Sequence, residues 1–176
     1  RIEKNLPAEL EEERVLLQAN MLMAREEYAD AAKVLGGIAK TSGAAAYVRF
    51  NLGVALVRSG DTPAGSKLLD ELGREPATNA ETRSLRDKAN VALGFAALKD
   101  NRGEDAKVAL ERVRLTSMLA NKALLGFGWA EASLKAPKRA LVPWTELADR
   151  DASDAAVLGL HPRRGLLGRS GSVEHH

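Results

Sequence analysis

The sequence contains no cysteine, and its three histidines, His161, His175 and His176, all lie near the C-terminal end. Without thiols the chain has no disulfide, no thiolate zinc site and no cysteine nucleophile. The remainder of the chain also lacks an imidazole for general-base catalysis or for metal ligation. We therefore expect no cofactor, no metal site and no catalytic residue, and we expect that the chain is not an enzyme.

Long apolar runs are missing as well, since no run approaches the roughly 20 residues that a membrane-spanning helix needs. We expect no transmembrane segment. The chain begins at Arg1, without Met and without a signal-like stretch, and we expect it to be part of a longer protein.

An excess of either charge is also lacking in most of the chain. The sequence has 26 Lys and Arg against 24 Asp and Glu. Three of the bases, Arg163, Arg164 and Arg169, lie after Gly159 together with one acid, Glu174, which leaves 23 of each sign elsewhere. A neutral body does not provide the basic surface that binds phosphate backbones, so we expect a protein or peptide partner and no nucleic acid.

The composition favours helices over strands. Aromatic residues make up only 4% and hydrophobic residues 45% of a chain that is rich in Ala, Leu, Glu, Lys and Arg. Apolar periodicity and turn signals predict an all-α protein. The predicted helices are near 6–25, 28–40, 44–59, 63–74, 79–100, 103–114, 117–134 and 137–149.

Four columns of residues recur in register along the chain. Two columns contain small residues and two contain large apolar residues. The small-residue columns are Ala19, Gly53, Gly94, Gly128 and, twelve residues later, Ala31, Gly65, Ala106, Ala140. The apolar columns are Leu35, Leu69, Leu110, Trp144 and Ile38, Leu72, Val113, Leu147. Successive copies are separated by 34, 41 and 34 positions.

This pattern resembles the tetratricopeptide repeat, a helix-turn-helix unit of about 34 residues. The second copy matches the family best, with Leu52-Gly53, Gly60 at the turn and Leu69. No copy has the early Trp of the family, and the Tyr column reads Leu22, Leu56, Ala97 and Glu131. The resemblance implies a right-handed α-solenoid of about four units.

A helical repeat explains why the second copy contains three glycines and why one spacing is longer than the others. Gly53 and Gly65 allow two helices to cross closely, and Gly60 ends the first helix in a left-handed conformation. The one longer spacing reflects seven extra residues, near 80–86, which add about two turns to the start of one helix. Thr78 or Asn79 can cap that helix.

The units are predicted at about 12–45, 46–79, 87–120 and 121–154, within one domain that covers 1–158. Composition changes after Leu158, where four glycines and a proline interrupt the helical period. The ending "SVEHH" is similar to the start of a histidine purification tag. We expect 159–176 to be a non-native tail that derives from a vector.

Two stretches and one acidic run suggest chemistry but have simpler structural explanations. The segment "DRDASD" begins like a calcium loop, but Asp154 stands at the glycine position and Leu160 at the position of the final Glu. The "GFGW" segment lacks the strand and the third Gly of a dinucleotide fingerprint. Residues Glu11 to Glu13 complement the dipole at the start of the first helix.

Within the repeat family, ligands bind to the concave surface that the first helix of each unit forms. The resemblance therefore assigns ligand-facing positions to four helices. The peptide-binding or protein-binding candidates are Asn20, Tyr47, Phe50, Val54, Arg58, Lys88, Val91, Phe95, Lys99, Lys122, Leu125 and Trp129. Together they form an apolar groove with a basic edge, which suits an extended or helical peptide of acidic character.

An alternative is that neighbouring helices or missing repeats fill the space around Phe50, Phe95 and Trp129. We also expect Trp144, on a second helix, to belong to the core. Ala106 is expected at a tight helix crossing, and Ala109 away from it.

The sequence leaves more than one function open. The first hypothesis is a non-catalytic interaction scaffold, part of a larger bacterial assembly. The alternative is an accessory solenoid of a larger enzyme whose catalytic domain lies outside this chain. A third is a structural segment that self-associates through the exposed ends of the solenoid. The compartment stays open, with a slight preference for the bacterial cell envelope or periplasm over the cytoplasm.

Overall fold

The structure is a computed structural model, and it describes residues 7–41, 45–135 and 137–157. Within these ranges every regular element is a helix, which confirms the all-α prediction. The helices are α1 (Ala8–Ala24), α2 (Tyr28–Thr41), α3 (Ala46–Ser59), α4 (Thr62–Arg74), α5 (Ala80–Lys99), α6 (Gly103–Glu111), α7 (Ala120–Ser133) and α8 (Pro137–Val157). None of these helices is long and apolar enough to cross a membrane. The predicted tail, 159–176, lies outside the described residues.

The helices pack in the order in which the chain produces them. Each helix contacts the one before it and the one after it, and α5 also touches α3 and α7. Helices α3, α5 and α7 therefore lie side by side in one layer. That layer carries the candidate site described below.

Left-handed residues end the first helix of each pair. In the described ranges, positive φ angles occur at Glu26, Gly60, Asn101 and Lys135. Their separations repeat those of the four sequence columns. Of these four residues only Gly60, with φ of 103°, is a glycine. The amide N–H groups of Gly60 and Asp61 donate hydrogen bonds to carbonyls at the end of α3. The predicted turn position of Gly60 is confirmed.

Small residues face large ones where the two helices of a pair cross. All eight members of the two small-residue columns are buried. A Cβ placed on Gly53 would lie 2.8 Å from Cγ of Leu69, and one on Gly94 would lie 2.5 Å from Cγ of Leu110. A larger residue at either glycine would force the helices apart.

The start of α5 is held by a capping box, in which Asn79, one of the two predicted caps, is the N-cap. The Asn79 side chain accepts a hydrogen bond from the amide of Thr82 at 2.8 Å, and the Thr82 hydroxyl accepts one from the amide of Asn79 at 3.2 Å. These bonds satisfy amide groups that the first turn leaves without helical partners. Asn79 is therefore the N-cap of α5.

Polar side chains on α5 bind the chain on either side of it, in a cluster that we call the α5 clamp. Its first part is Asp87, whose side chain is 1% exposed and accepts hydrogen bonds from Nε (3.0 Å) and Nη2 (2.7 Å) of Arg114. Its second part is Asn90, which donates to the Gly73 carbonyl at 3.0 Å. Arg112 completes it by donating to Asp70 on α4 at 2.8 Å. The clamp ties α4, α5 and the segment after α6 together.

The clamp explains where α6 and α7 depart from the predicted boundaries. The sequence predicts that α6 reaches residue 114 and that α7 begins at 117, but α6 ends at Glu111 and α7 begins at Ala120. Arg112 and Arg114 turn toward α4 and α5 instead of continuing along the helix. Helix α8 is also longer than predicted: the sequence predicts that it ends near 149, and it continues to Val157.

The structure places Ala106 at the helix crossing and Ala109 outside it, as expected, but the two residues are equally buried. Ala106 packs against Ala97 of α5 and Ala130 of α7, as a tight crossing requires. Ala109 is just as buried, at 1% exposure, and it faces a small cavity beside α4. Val108, which is 52% exposed, is the correct control position on α6.

Replacing Ala106 with Leu should lower the free energy of unfolding by about 1–3 kcal/mol, because the added atoms overpack the contact of three helices. Val108→Leu should change it by less than about 0.5 kcal/mol, since the side chain already faces solvent. Urea denaturation of both variants measures the difference. Equal midpoints would contradict the packing of α6 between α5 and α7.

The two partners of the buried ion pair should respond unequally to substitution. Arg114→Met should cost about 3 kcal/mol of unfolding free energy, because it leaves the carboxylate of Asp87 buried without its cation. Asp87→Asn should cost only about 1 kcal/mol, since Arg114 is 42% exposed and can be hydrated. Thermal and urea unfolding compare the two, and a larger loss for Asp87→Asn would refute the asymmetry.

Candidate functional site

A cavity of about 560 Å³ opens between the three helices of the α3, α5 and α7 layer. We call it the basic groove. Its floor contains Leu69, Val91 and Ala96, which are buried. The described residues that line it are Phe50, Val54, Val57, Arg58, Gly60, Thr62, Leu69, Lys88, Val91, Ala92, Phe95, Ala96, Lys99, Asp100, Leu119 and Lys122.

One face of α5 supplies the largest share of this lining. Its residues follow one another at steps of three, one, three, one and three, which is the spacing of a single helical face. Lysines stand at both ends of the face and apolar residues between them. The groove is therefore apolar in its centre and cationic at its margins. The residues of this face are Lys88, Val91, Ala92, Phe95, Ala96 and Lys99.

The charges along the groove are predominantly positive. Four bases, Arg58, Lys88, Lys99 and Lys122, line it, and all four are exposed. Within the described ranges none of them forms an ion pair. The acid in the lining, Asp100, lies 3.6 Å from the guanidinium of Arg102. The four cations remain available to a negatively charged ligand.

Two aromatic rings lie under these cations. Nζ of Lys122 is 5.4 Å from the ring centre of Phe95, and Cζ of Arg58 is 5.8 Å from that of Tyr28. Both distances are within the range of cation–π attraction. The contacts hold the two cations near the apolar surface while their remaining N–H groups face solvent.

Eight of the predicted binding residues meet in this groove: Phe50, Val54, Arg58, Lys88, Val91, Phe95, Lys99 and Lys122. They come from three different helices, although they are widely separated in sequence. Four other predicted residues do not line it. Asn20 is exposed on α1, Tyr47 is exposed in the first turn of α3, and Leu125 and Trp129 are exposed on α7.

The two tryptophans explain why Trp129 does not reach the groove. The ring centres of Trp129 and Trp144 are 5.5 Å apart with an interplanar angle of 72°, an edge-to-face contact. Trp144 covers Gly128, and its indole N–H points to the carbonyl of Leu125 at 3.4 Å. Trp144 is only half-buried, so the expectation that it belongs to the core is wrong. The pair forms a separate aromatic surface on α7 and α8.

Some groove residues are not among the predicted binding residues. Ala92 and Ala96 follow Lys88 at helical spacing, so extending the α5 face by its period would have found them. Asp100 and Leu119 belong to the connections next to α5 and α7, where no periodic signal exists.

The pKa shifts of this structure arise at ion pairs outside the groove. The guanidinium of Arg49 donates to Glu75, with Nη2 to Oε2 at 3.0 Å, and lowers the pKa of that carboxyl. The hydrogen bond of Lys107 to Glu131, at 2.7 Å, raises the pKa of the lysine. Glu131 itself is buried and also lies 3.3 Å from Nε of Arg139. These pairs join neighbouring helices.

Metal-ligating side chains do not gather in the described ranges into any group of three or more that could hold an ion. The groove combines apolar surface with exposed cations, which suits the binding of a ligand that carries both apolar groups and negative charge.

The chain matches no protein-family model, no curated protein and no solved structure.

The tryptophan contact should appear as a coupling free energy. Trp144→Ala should lower the unfolding free energy by about 2–3 kcal/mol, less than a fully buried aromatic would. Trp129→Ala should cost less than about 1 kcal/mol, since the side chain is 54% exposed. The double variant should show a coupling of about 0.5–1 kcal/mol in a denaturation cycle. Strict additivity would mean that the rings do not interact in solution.

Proposed function

We propose that this protein is a non-catalytic interaction scaffold of the tetratricopeptide type, which binds an acidic, partly apolar peptide segment in the basic groove. The observation that carries the proposal is the groove itself. Exposed cations from α3, α5 and α7 surround a continuous apolar surface that includes Phe50 and Phe95. Peptides recognised in this way insert apolar side chains and place carboxylates at the margin.

The pairing of helices supports the repeat part of the proposal. In the described ranges, a left-handed residue follows the first helix of every pair, in the same register as the sequence columns. Small residues occupy the crossing in every pair. In solenoids built from such units, the layer of first helices carries the binding surface. The basic groove lies in that layer.

Phe95 and Lys122 are the residues on which binding should depend most. Phe95 is half-buried in the centre of the lining, and the cation of Lys122 lies over its ring. An aromatic anchor with a neighbouring cation can bind an apolar side chain and an adjacent carboxylate at the same time. Lys88 offers a second cation on the α5 face.

The test uses a synthetic peptide of about 18 residues, long enough to form a helix in isolation, with Leu on one face and Glu elsewhere. Titration by fluorescence anisotropy should give saturable binding that weakens as salt is added. Phe95→Ala should reduce the affinity by about 2 kcal/mol, or roughly thirtyfold, as loss of an aromatic anchor does. Lys88→Gln combined with Lys122→Gln should reduce it about tenfold.

Lys33→Gln combined with Lys40→Gln is the matched control, because both lysines are exposed on α2 and neither lines the groove. It should leave the affinity unchanged. If the Lys88 and Lys122 double variant bound the peptide as well as the unmodified protein does, the groove would not be the binding site.

A further inference from the structure

A second and larger cavity, of about 760 Å³, lies between α6, α7 and α8. We call it the acidic cavity. The described residues that line it are Leu110, Glu111, Val113, Leu115, Ala120, Ala123, Leu124, Phe127, Leu141, Val142, Pro143, Thr145, Glu146 and Asp149. It shares no residue with the basic groove.

The α5 clamp accounts for this cavity. Helix α6 is shorter than α4, its counterpart in the preceding pair. The chain after Glu111 is drawn toward α4 and α5 by the ion pairs of Arg112 and Arg114. As a result, no further turn of α6 covers the side of α8. The space that this turn would occupy is open.

The wall of the cavity is apolar and partly exposed to solvent. Leu110, Val113 and Ala123 form a buried floor. At the edge, Leu141 is 58% and Val142 is 72% exposed. A contiguous apolar surface with exposed branched side chains marks a site of interaction.

The charged residues at the edge are all acidic. Glu111, Glu146 and Asp149 are all exposed, and within the described ranges none of them forms an ion pair. The described lining contains no Lys and no Arg. This charge is opposite to that of the basic groove, so the two sites select ligands of opposite charge.

The three carboxylates do not converge on a single point. No group of acidic side chains in the described ranges is placed to hold a metal ion. One small cation therefore cannot satisfy all three. Several cations spaced along an elongated ligand match this arrangement better.

Two helical faces give the cavity the shape of a trough. Helix α8 contributes Leu141, Thr145 and Asp149 at steps of four, and α7 contributes a second face at steps of three, one and three. From Leu141 to Asp149 the trough extends about 12 Å along α8, at about 1.5 Å per residue. A third helix of two to three turns fits such a trough between packed helices. The residues of the α7 face are Ala120, Ala123, Leu124 and Phe127.

We propose that the acidic cavity is a second docking site, which binds a basic amphipathic helix of a partner protein. The apolar side chains of that helix lie on Leu141, Val142 and the floor, and its Lys or Arg side chains pair with Glu111, Glu146 and Asp149. The scaffold then joins two partner segments of opposite charge on different helices. This site does not depend on the function of the basic groove.

The experiment uses the full chain and a probe peptide of about 18 residues with Leu on one face and Lys elsewhere, a length that supports an isolated helix. Its counterpart carries Glu in place of every Lys. The Lys peptide should bind saturably, and the double variant Glu146→Lys with Asp149→Lys should weaken it about tenfold or more, through like-charge repulsion. Leu141→Asn with Val142→Asn should also weaken it about tenfold, by removing apolar contact.

The matched control is Glu12→Lys with Asp151→Lys, which changes the net charge by the same amount at exposed positions outside both sites. It should leave binding of the Lys peptide nearly unchanged. Equal loss in this control would show that binding follows net charge alone and would overturn the proposal. Failure of the unmodified protein to bind the Lys peptide would overturn it too.

Two further measurements distinguish other possible occupants of the acidic cavity. If the protein were dimeric by light scattering and monomeric after Leu141→Asn with Val142→Asn, a second copy would occupy the cavity. If Arg163→Glu with Arg164→Glu increased the affinity for the Lys peptide, the C-terminal segment of the same chain would occupy it. Either result would overturn the proposal of a separate partner. Neither would affect binding of the Glu peptide to the basic groove.

Discussion

The close approach of two helices within each pair is the contact on which the rest of this structure depends. At each crossing a residue with little or no side chain on the first helix faces a large residue on the second, as Gly53 faces Leu69 and Gly94 faces Leu110. Because there is no room for a Cβ, the distance between the helices is set by the backbone of one and the side chain of the other. The repetition of this contact places α3, α5 and α7 side by side.

That layer determines where charge and apolar surface meet. The inner residues of α5 pack on its neighbours, and the next residues of the same face, Lys88 and Lys99, remain exposed at the ends of the groove. The cations stand beside Phe95 and Val91 and are not dispersed over the surface. A ligand that enters the groove loses water from its apolar part while its charged part stays at the margin, where ion pairs form at little desolvation cost.

Local features of the sequence predict the helices and the turns, because each is determined by residues within one or two turns, whereas most of the groove residues follow from the resemblance to the tetratricopeptide repeat. The left-handed position at Gly60 is of this kind. The early end of α6 is different, because it depends on Arg112 with Asp70 and on Arg114 with Asp87, pairs that are distant in sequence. No helical period indicates such contacts, so the acidic cavity that they open could not be foreseen. The exposure of Trp144 likewise depends on how α8 lies against α7, which its sequence column does not indicate.

Helix α5 connects the two surfaces, because it contributes to the groove with one face and to the clamp with another. Lys88 and Val91 line the basic groove, while their sequence neighbours Asp87 and Asn90 belong to the clamp, in which Asp87 holds Arg114. The same buried ion pair therefore anchors the helix that forms the main wall of the groove and the segment after α6 that lies beside the acidic cavity. Since Asp87 is enclosed and its charge is balanced by one guanidinium, a rearrangement at this point must move α5 or leave a carboxylate without its partner. Breaking the clamp therefore costs free energy, and the clamp supports both surfaces.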